Sequence, residues 1–274
     1  MSFHFASAAF ATVLLAAQPA AAATLKVCAD PNNLPFSNAA GEGFENKIVE
    51  LLGRELGMEV RYTWWPQRRG FIRSTLDRGL CDLVPGVPSN LERVKTTRPY
   101  YRSSYVFVSR RDDRLELSSL NDPRLRSLKI GVTIIGDDGS NTPPAHALSR
   151  RGIVNNVRGY LIYGDYGSPS PTAPVVEAVA NGAIDIAVVW GPTAGYFASR
   201  QATVLDLSPV EPRIDGPMLP MVFDISMAVR KKDLQLRNAV DAVLARRRDD
   251  IDRILADYDI PRLDLPLHPE MGVQ

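Results

Sequence analysis

Histidine and cysteine are scarce in this chain of 274 residues, which holds three of the first (His4, His146, His268) and two of the second (Cys28, Cys81). Imidazole- or thiolate-rich metal sites and histidine-based nucleophile triads need more than that supply offers. His146 sits beside a pair of prolines and His268 in the tail. The acid pair Asp137-Asp138, with Gly139, Ser140 and Asn141, offers hard oxygen ligands. It lacks the terminal glutamate and the spacing of a calcium loop, and reads as a solvated loop. No glycine-rich phosphate loop of the Walker type occurs, and Gly131 with Gly136 does not make a dinucleotide fingerprint. The expectation is therefore no metal, no cofactor and no catalysis.

Lys and Arg total 32 against 31 Asp and Glu, a net charge of +1. That balance gives no field to attract nucleic acid, and nucleic-acid binding is excluded on this ground. With 45% apolar and 23% charged residues the chain is globular, with length for one large domain or two lobes. From Met1 to Ala23 no side chain is acidic or basic apart from His4. Ala8 to Ala17 is apolar except at Thr12, and Pro19 precedes the small-residue stretch Ala20 to Ala23. This reads as an export signal, residues 1–23, cleaved after Ala23, although its first residues carry no Lys or Arg. The apolar run is shorter than the ~18–20 residues a membrane span needs, and no other stretch reaches that length. The expected location is the periplasm, where cysteines meet an oxidising medium. Cys28 lies in the strand-like Leu25–Ala29, and Cys81 opens Cys81-Asp82-Leu83-Val84. If those strands are neighbours a disulfide is geometrically allowed, worth about 4 kcal/mol on the loop-entropy account. Two buried thiols are the alternative.

The elements that must position any site alternate strand and helix. After the first strand, Asp30 to Ser37 carries two prolines and two asparagines, which predicts an irregular loop. Phe44, Ile48, Leu51, Leu52 and Leu56 recur at helical spacing, and Gly57 supplies a cap. Val60 to Trp65 reads as a strand, Arg68 to Arg78 as a helix ending at Gly79, Asp82 to Val84 as a strand and Ser104 to Ser109 as another. Arg68, Arg69, Arg73 and Arg78 form a charged helix face of the kind usually solvated. Beyond the charged Arg110 to Arg114, a second alternation runs through Leu128–Val132 (strand), Ala145–Arg150 (helix), Tyr160–Tyr163 (strand), Val175–Asn181 (helix) and Ile184–Val189 (buried strand). Ile225 to Val229 is a strand, and Leu236 to Leu255 predicts one long closing helix. The fold class is α/β, two lobes joined by two hinge crossovers around a central cleft, with lobe 1 over 24–109 and 222–274 and lobe 2 over 110–221. Ligands of open α/β sheets bind beyond the carboxyl ends of strands. That rule gathers Asp30 to Phe36, Trp65 to Arg69, Pro85 to Arg93, Thr133 to Asn141 and Trp190 to Tyr196 around one site.

These motifs resemble the two-crossover periplasmic solute-binding proteins, the superfamily of the polar amino-acid receptors. Gly43-Phe44-Glu45, Gly79-x-Cys81-Asp82, Glu92-Arg93 before Arg98-Pro99-Tyr100-Tyr101, and Gly182-x-x-Asp185 carry the likeness across nearly the whole chain. More narrowly, Val27 to Ser37, Gly43 to Ile48, Trp64 to Phe71 and Trp190-Gly191-Pro192-x-Ala194-Gly195-Tyr196 resemble the branch associated with quinoprotein methanol dehydrogenases, the XoxJ/MxaJ type. The resemblance implies a cleft site of Asp30, Asn33, Phe36, Trp65, Arg69, Gly86, Arg93, Thr133, Trp190 and Tyr196. Arg93 takes the place of the arginine that pairs with a ligand carboxylate, Arg69 the place of an aromatic platform, and Trp190 the place of the acid that receives a ligand ammonium. Without that acid a buried α-amino group would go unpaired at a cost of several kcal/mol, so free amino acids are poor ligands. Asp30 has a second reading, as a turn cap. Arg93 has one too, as a partner of Glu92 or Asp82. Trp64 is read as packing in the core.

Two functions follow from the resemblance. One is a monomeric, non-catalytic accessory protein that binds a quinoprotein methanol dehydrogenase, with or without its cytochrome c, and assists its activation or maturation. Its inserts carrying Tyr160, Tyr163 and Tyr166 would add recognition surface. The other is a receptor for an ABC importer, holding a small anionic or amphipathic solute with Arg93 and Arg69. Both use one fold, so fold alone does not separate them.

Overall fold

The computed structural model describes residues 23–89, 91–135, 141–161, 167–168 and 170–265. Residues 1–22 of the expected export signal 1–23, the loop acids Asp137 and Asp138, Tyr163, Tyr166 and His268 lie outside the described residues.

The chain opens with strand β1 (Ala23–Ala29), whose Leu25, Val27, Cys28 and Ala29 are buried. The segment expected to be irregular instead folds as a small antiparallel hairpin, β2 (Asn32–Asn33) with β3 (Ser37–Asn38). Its turn is closed by the Phe36 N–H donating to the Asn33 carbonyl (2.9 Å), a bond that prolines at 31 and 35 leave available. Helix α1 (Phe44–Leu56) follows as expected: Phe44, Ile48 and Leu52 are fully buried, and Gly57 ends it in the left-handed region at φ 65°. Each such side chain is worth roughly 1.5–3 kcal/mol of burial. The helix start is pinned by Asn46, whose Oδ1 accepts from the backbone N–H groups of Gly43 (3.0 Å) and Asn38 (3.1 Å). Strand β4 (Met58–Trp64) then returns parallel to β1, in register from Ala23 with Met58 to Ala29 with Trp64.

The helix expected over Arg68 to Arg78 is broken into α2 (Phe71–Ser74) and a 3₁₀ turn, Leu76–Arg78. Thr75 is the break: its buried hydroxyl donates to the Phe71 carbonyl (2.7 Å), and its backbone leaves the helical region at φ −123°, ψ −79°. Gly79 closes the turn at φ 72° and delivers Cys81 to Cys28. The two are bridged, with Cα atoms 5.5 Å apart and both side chains fully buried. Leu83 makes the expected neighbour contact with β1, its carbonyl accepting from the Cys28 N–H (2.9 Å). The strand proper, β5 (Val84–Pro88), lies further along than Asp82 to Val84.

After β6 (Lys95–Thr96) comes β7 (Tyr101–Arg110), which runs through the boundary expected at 109/110. Three segments then build the second block: β8 (Ile130–Ile134), α3 (Pro143–Arg150) and β9 (Val157–Leu161). They are followed by α4 (Pro174–Ala180) and β10 (Ile186–Trp190), a strand buried on both faces. Helix α5 (Gly191–Ala198) has no counterpart among the expected elements. It is apolar nearly all round, so no amphipathic stripe announces it; Pro192 in its first turn is the signal that could have done so. Strands β11 (Leu205–Pro209), β12 (Ile214–Asp215), β13 (Leu219–Pro220) and β14 (Val222–Val229) complete the sheets. The single closing helix expected from Leu236 to Leu255 is two, α6 (Leu234–Arg246) and α7 (Arg248–Asp257). The kink at Arg247 lets Arg246 and Arg247 both reach the Glu55 carboxylate of α1, at 2.9 and 2.5 Å.

The architecture is α/β and two-lobed. In the main sheet the order is β5-β14-β7-β10-β8-β9, with β11 also on β7 and β6 on β14. Two antiparallel strands cross between the lobes side by side: Tyr101–Ser104 of β7 pairs with Val222–Ile225 of β14, while Tyr105–Ser109 pairs with β10 in the second lobe. The crossing therefore sits at Ser104-Tyr105, where the Tyr105 N–H donates to the Met221 carbonyl (2.8 Å). Separate apolar cores serve each side: Phe44, Ile48, Leu83 and Ile251 in the first, Leu120, Ile130, Val188 and Met221 in the second. The lobes also meet away from this hinge. Asn32 Nδ2 donates to the Ser168 carbonyl (2.6 Å), Thr172 Oγ1 donates to the Leu34 carbonyl (2.8 Å), and Leu34 packs against the core that includes Val175 and Val189.

Candidate functional site

Between the lobes lies a cavity of about 370 Å³, lined by residues of both. The first lobe contributes the β2–β3 hairpin through Asn33 and Phe36, the α1 start through Glu45, and β5 through Gly86, Val87 and Pro88. From the second come Thr133 at the end of β8, Tyr160 in β9, Thr172 and Val175 around the α4 start, and Trp190 and Thr193 where β10 turns into α5. Tyr101, Tyr105, Phe223 and Ile225 come from the crossing strands, so the hinge forms part of the wall. The carboxyl ends of β5, β8 and β10 open onto one space, which is where an open α/β sheet holds its ligands.

Five of the ten residues expected at the site, Asn33, Phe36, Gly86, Thr133 and Trp190, line this cavity. Asp30, Trp65, Arg69, Arg93 and Tyr196 are not among its lining residues. Asp30 is buried beneath the wall as a cap: its carboxylate accepts from the backbone N–H of Asn32 (2.8 Å) and of Gln67 (2.7 Å), tying the hairpin to the segment after β4. Gln67, held this way, does line the cavity; its side chain reaches toward the Gly86 carbonyl (3.5 Å) and accepts from Asn33 Nδ2 (3.4 Å). Trp65 is 39% exposed. Trp64, expected in the core, is half-buried and stacked on Tyr62 at 4.5 Å. Arg93 donates through Nε to Asp77 Oδ2 (2.6 Å) on an exposed surface, so its partner is neither a ligand nor the expected Glu92 or Asp82. Tyr196 stacks on Tyr258, just past the end of α7, at 5.8 Å and carries the Arg200 guanidinium 3.5 Å above its ring, which makes it a contact between lobes. His146 is occupied too, accepting from the Asn141 N–H through Nε2 (3.1 Å).

The decisive residue is one that sequence reasoning quoted but did not place at the site. Glu45 is fully buried in the cavity wall at the second position of α1. Burial pushes its carboxyl up to about 8, and no cation offsets that shift. The helix N-terminus works in the opposite direction, favouring the anion, but is too weak to cancel desolvation of this extent. Among the described residues no donor or cation engages the carboxyl, which packs against Gly86 instead. A signal existed: Glu45, Val49 and Leu52 follow at helical spacing, so the acid lies on the apolar stripe. Around it the wall is aromatic. Trp190, Tyr105 and Phe223 meet edge to face at 5.4 to 6.4 Å, and Phe44 links Phe36 (5.5 Å) to Tyr101 (5.9 Å). The Tyr160 hydroxyl, on the opposite lobe, is buried without a hydrogen-bond partner.

No lysine or arginine lines the cavity among the described residues. A ligand carboxylate would enter a space with no cation to meet it and an acid already in the wall. Holding an amino-acid zwitterion needs both charges answered, and this site answers one.

Residues 25–259 match the model of the bacterial extracellular solute-binding proteins, family 3. The chain belongs to that family. Protein MoxJ of Methylorubrum extorquens is 32% identical over 88% of this chain and 82% of its own length. Among solved structures, the periplasmic binding protein XoxJ from Methylobacterium extorquens AM1 is 34% identical, with a TM-score of 0.71, covering 88% of this chain and all of its own. MxaJ from Methlophaga aminisulfidivorans MPT superimposes with a TM-score of 0.74 at 26% identity over the same share of each chain. Within the family, the chain falls in the XoxJ/MxaJ branch. Among the described residues no helix is long and apolar enough to cross a membrane.

Proposed function

We propose that this chain is a non-catalytic periplasmic accessory protein of a quinoprotein methanol dehydrogenase, which it binds as a monomer to assist activation or maturation. The observation that carries the reading is similarity to MoxJ, XoxJ and MxaJ along nearly the whole chain. The site supports it from the other side. A receptor for amino acids needs a charged grip at both ends of its ligand, and here Trp190 faces the cavity while Arg93 is held by Asp77. On this reading residues 1–23 are removed on export, and two lobes hinge on β7 and β14, with the first crossing at Ser104-Tyr105 in place of the 109/110 boundary expected from the sequence. Differential contact of the partner with the two lobes would favour one hinge position. Co-purification of the tagged chain with the purified dehydrogenase at low salt, followed by an activity assay with and without the chain, tests it. Complex formation with raised or earlier dehydrogenase activity is expected; no association at low salt overturns it. The dehydrogenase's cytochrome c is added in a second arm.

The cavity itself favours a second reading, a solute receptor for an importer, because about 370 Å³ suits a small molecule. An anionic solute held by Arg69 and Arg93 is not what this cavity is lined to take, since neither arginine borders it.

A further inference from the structure

Glu45 is the one carboxyl, and the one acidic or basic side chain, among the described residues that line the cavity, and it is fully buried with no partner. Phe36, Tyr101, Tyr105, Trp190 and Phe223 surround the same space. We propose that the cavity binds an organic cation, an ammonium carried on an apolar body, with the Glu45 carboxylate as counter-ion and the aromatic rings around its stem.

A buried carboxylate left alone is costly, and a cation seated beside it offsets part of that cost through their mutual attraction. Aromatic faces add attraction for the same charge, strongest at tryptophan and in dry surroundings. An anion gains neither, and a neutral ligand of equal shape gains only its apolar burial. The titratable groups that face Glu45 are Tyr62 from β4, Tyr100 just before β7 and Tyr101 at its first position, all raised by burial and therefore uncharged near pH 7. Lysine and arginine are absent from that surround among the described residues. Because burial holds the free carboxyl near 8, a cation arriving at pH 7 displaces close to one proton. Two sources supply this chemistry, a free amine and a lysine side chain of a bound partner.

Isothermal titration of the purified chain with benzylammonium, benzyl alcohol and benzoate, three probes of one shape and different charge, tests the proposal. At pH 8 benzylammonium is expected to bind at least about tenfold more tightly than either of the others. Its affinity should rise about 50-fold from pH 6 to pH 8, with proton uptake by the buffer revealed by repeating the titration in two buffers of different ionisation enthalpy. Glu45→Gln should abolish both the charge preference and the pH dependence, and Trp190→Leu should weaken the cation several-fold while leaving the proton release. Benzyl alcohol or benzoate binding as tightly as the cation, a flat pH profile, or full cation affinity in Glu45→Gln each overturn the proposal. A parallel titration with Nα-acetyl-lysine amide separates the sources: tighter binding than benzylammonium points to a partner's lysine, weaker binding to a free amine, and no binding by either cation overturns the proposal. The inference does not rest on the accessory role, since the titration uses this chain alone and the co-purification with dehydrogenase stands or falls separately.

Discussion

A Cβ placed on Gly86 would stand 1.9 Å from Oε1 of Glu45. The first residue of that pair lies in β5 and the second at the start of α1, so the absence of a side chain in one strand makes the room in which a helix buries its acid. The same economy places the helix itself, since a Cβ on Gly43 would come within 2.0 Å of the Phe36 carbonyl oxygen. Two glycines thereby bring the hairpin, the helix start and β5 into one wall of the cavity.

Stability should fall as pH rises. The Glu45 carboxyl ionises near 8 in the folded chain and near 4.5 in the unfolded one, so the folded state holds a proton that the unfolded state gives up between those values. Stability is full below about pH 4.5, as far as this group decides it, and is lost progressively as pH climbs through 8. The loss is on the order of a few kcal/mol. Glu45→Gln should flatten that slope, and urea midpoints of both proteins at pH 5, 7 and 9 measure it. Equal slopes in the two would show that the acid is not held this way.

Gly86→Ala should drive the Glu45 carboxyl out of its place or shift β5 away from α1. Overpacking of this kind costs about 1–3 kcal/mol. The denaturation midpoint reports the cost, and Glu45→Ala in the same chain should recover most of it, because the clash is with that side chain's end. If the double variant is no more stable than Gly86→Ala alone, the glycine serves some other contact.

The fold was legible where one level of structure decides the outcome. Helix α1 shows its stripe and its Gly57 stop, and β10 shows a run of apolar residues that only a doubly covered strand explains. Helix α5 was not, because an element buried nearly all round has no periodic face. The break at Thr75 turns on a local bond from its hydroxyl to the Phe71 carbonyl, which the spacing of apolar residues does not show, and the kink at Arg247 turns on Glu55, distant in sequence. At the site, the rule that ligands meet strand ends placed Asn33, Phe36, Gly86, Thr133 and Trp190 on the cavity wall. Arg93 lies off the cavity wall, because charge alone does not say which partner an arginine takes, and Asp77 takes it. Glu45 escaped notice because an acid on an apolar stripe reads as an error in the pattern until the cavity behind it is seen.

Breaking the Cys28–Cys81 bridge should destabilise the first lobe by roughly 4 kcal/mol, since it closes a loop with a sequence separation of 53. The bridge joins β1 to the turn after Gly79 and sits within the small core of Phe71, Leu76, Val84 and Val94. Paired Cys→Ala substitution keeps most of the packing and removes the link, so the change in urea midpoint measures the link. A change below about 1 kcal/mol would mean that this core holds the segment without it.

Thr172→Val should loosen the mouth of the cavity. The Thr172 hydroxyl donates to the Leu34 carbonyl across the lobes, and valine keeps the volume while removing the donor. A hydrogen bond of this kind is worth about 0.5–1.5 kcal/mol, enough to move a balance between closed and open lobes by up to about tenfold. The contact is seconded by Asn32 Nδ2 on the Ser168 carbonyl, so Asn32→Ala with Thr172→Val should shift the balance further than either alone. Labels on the two lobes, read by energy transfer, or small-angle scattering of the free chain, should report a longer distance in the double variant. Leu34 still packs against the second lobe's core in both variants, so complete opening is not expected. An unchanged distance would place the hold between the lobes at the hinge and at the Tyr196–Tyr258 stack instead.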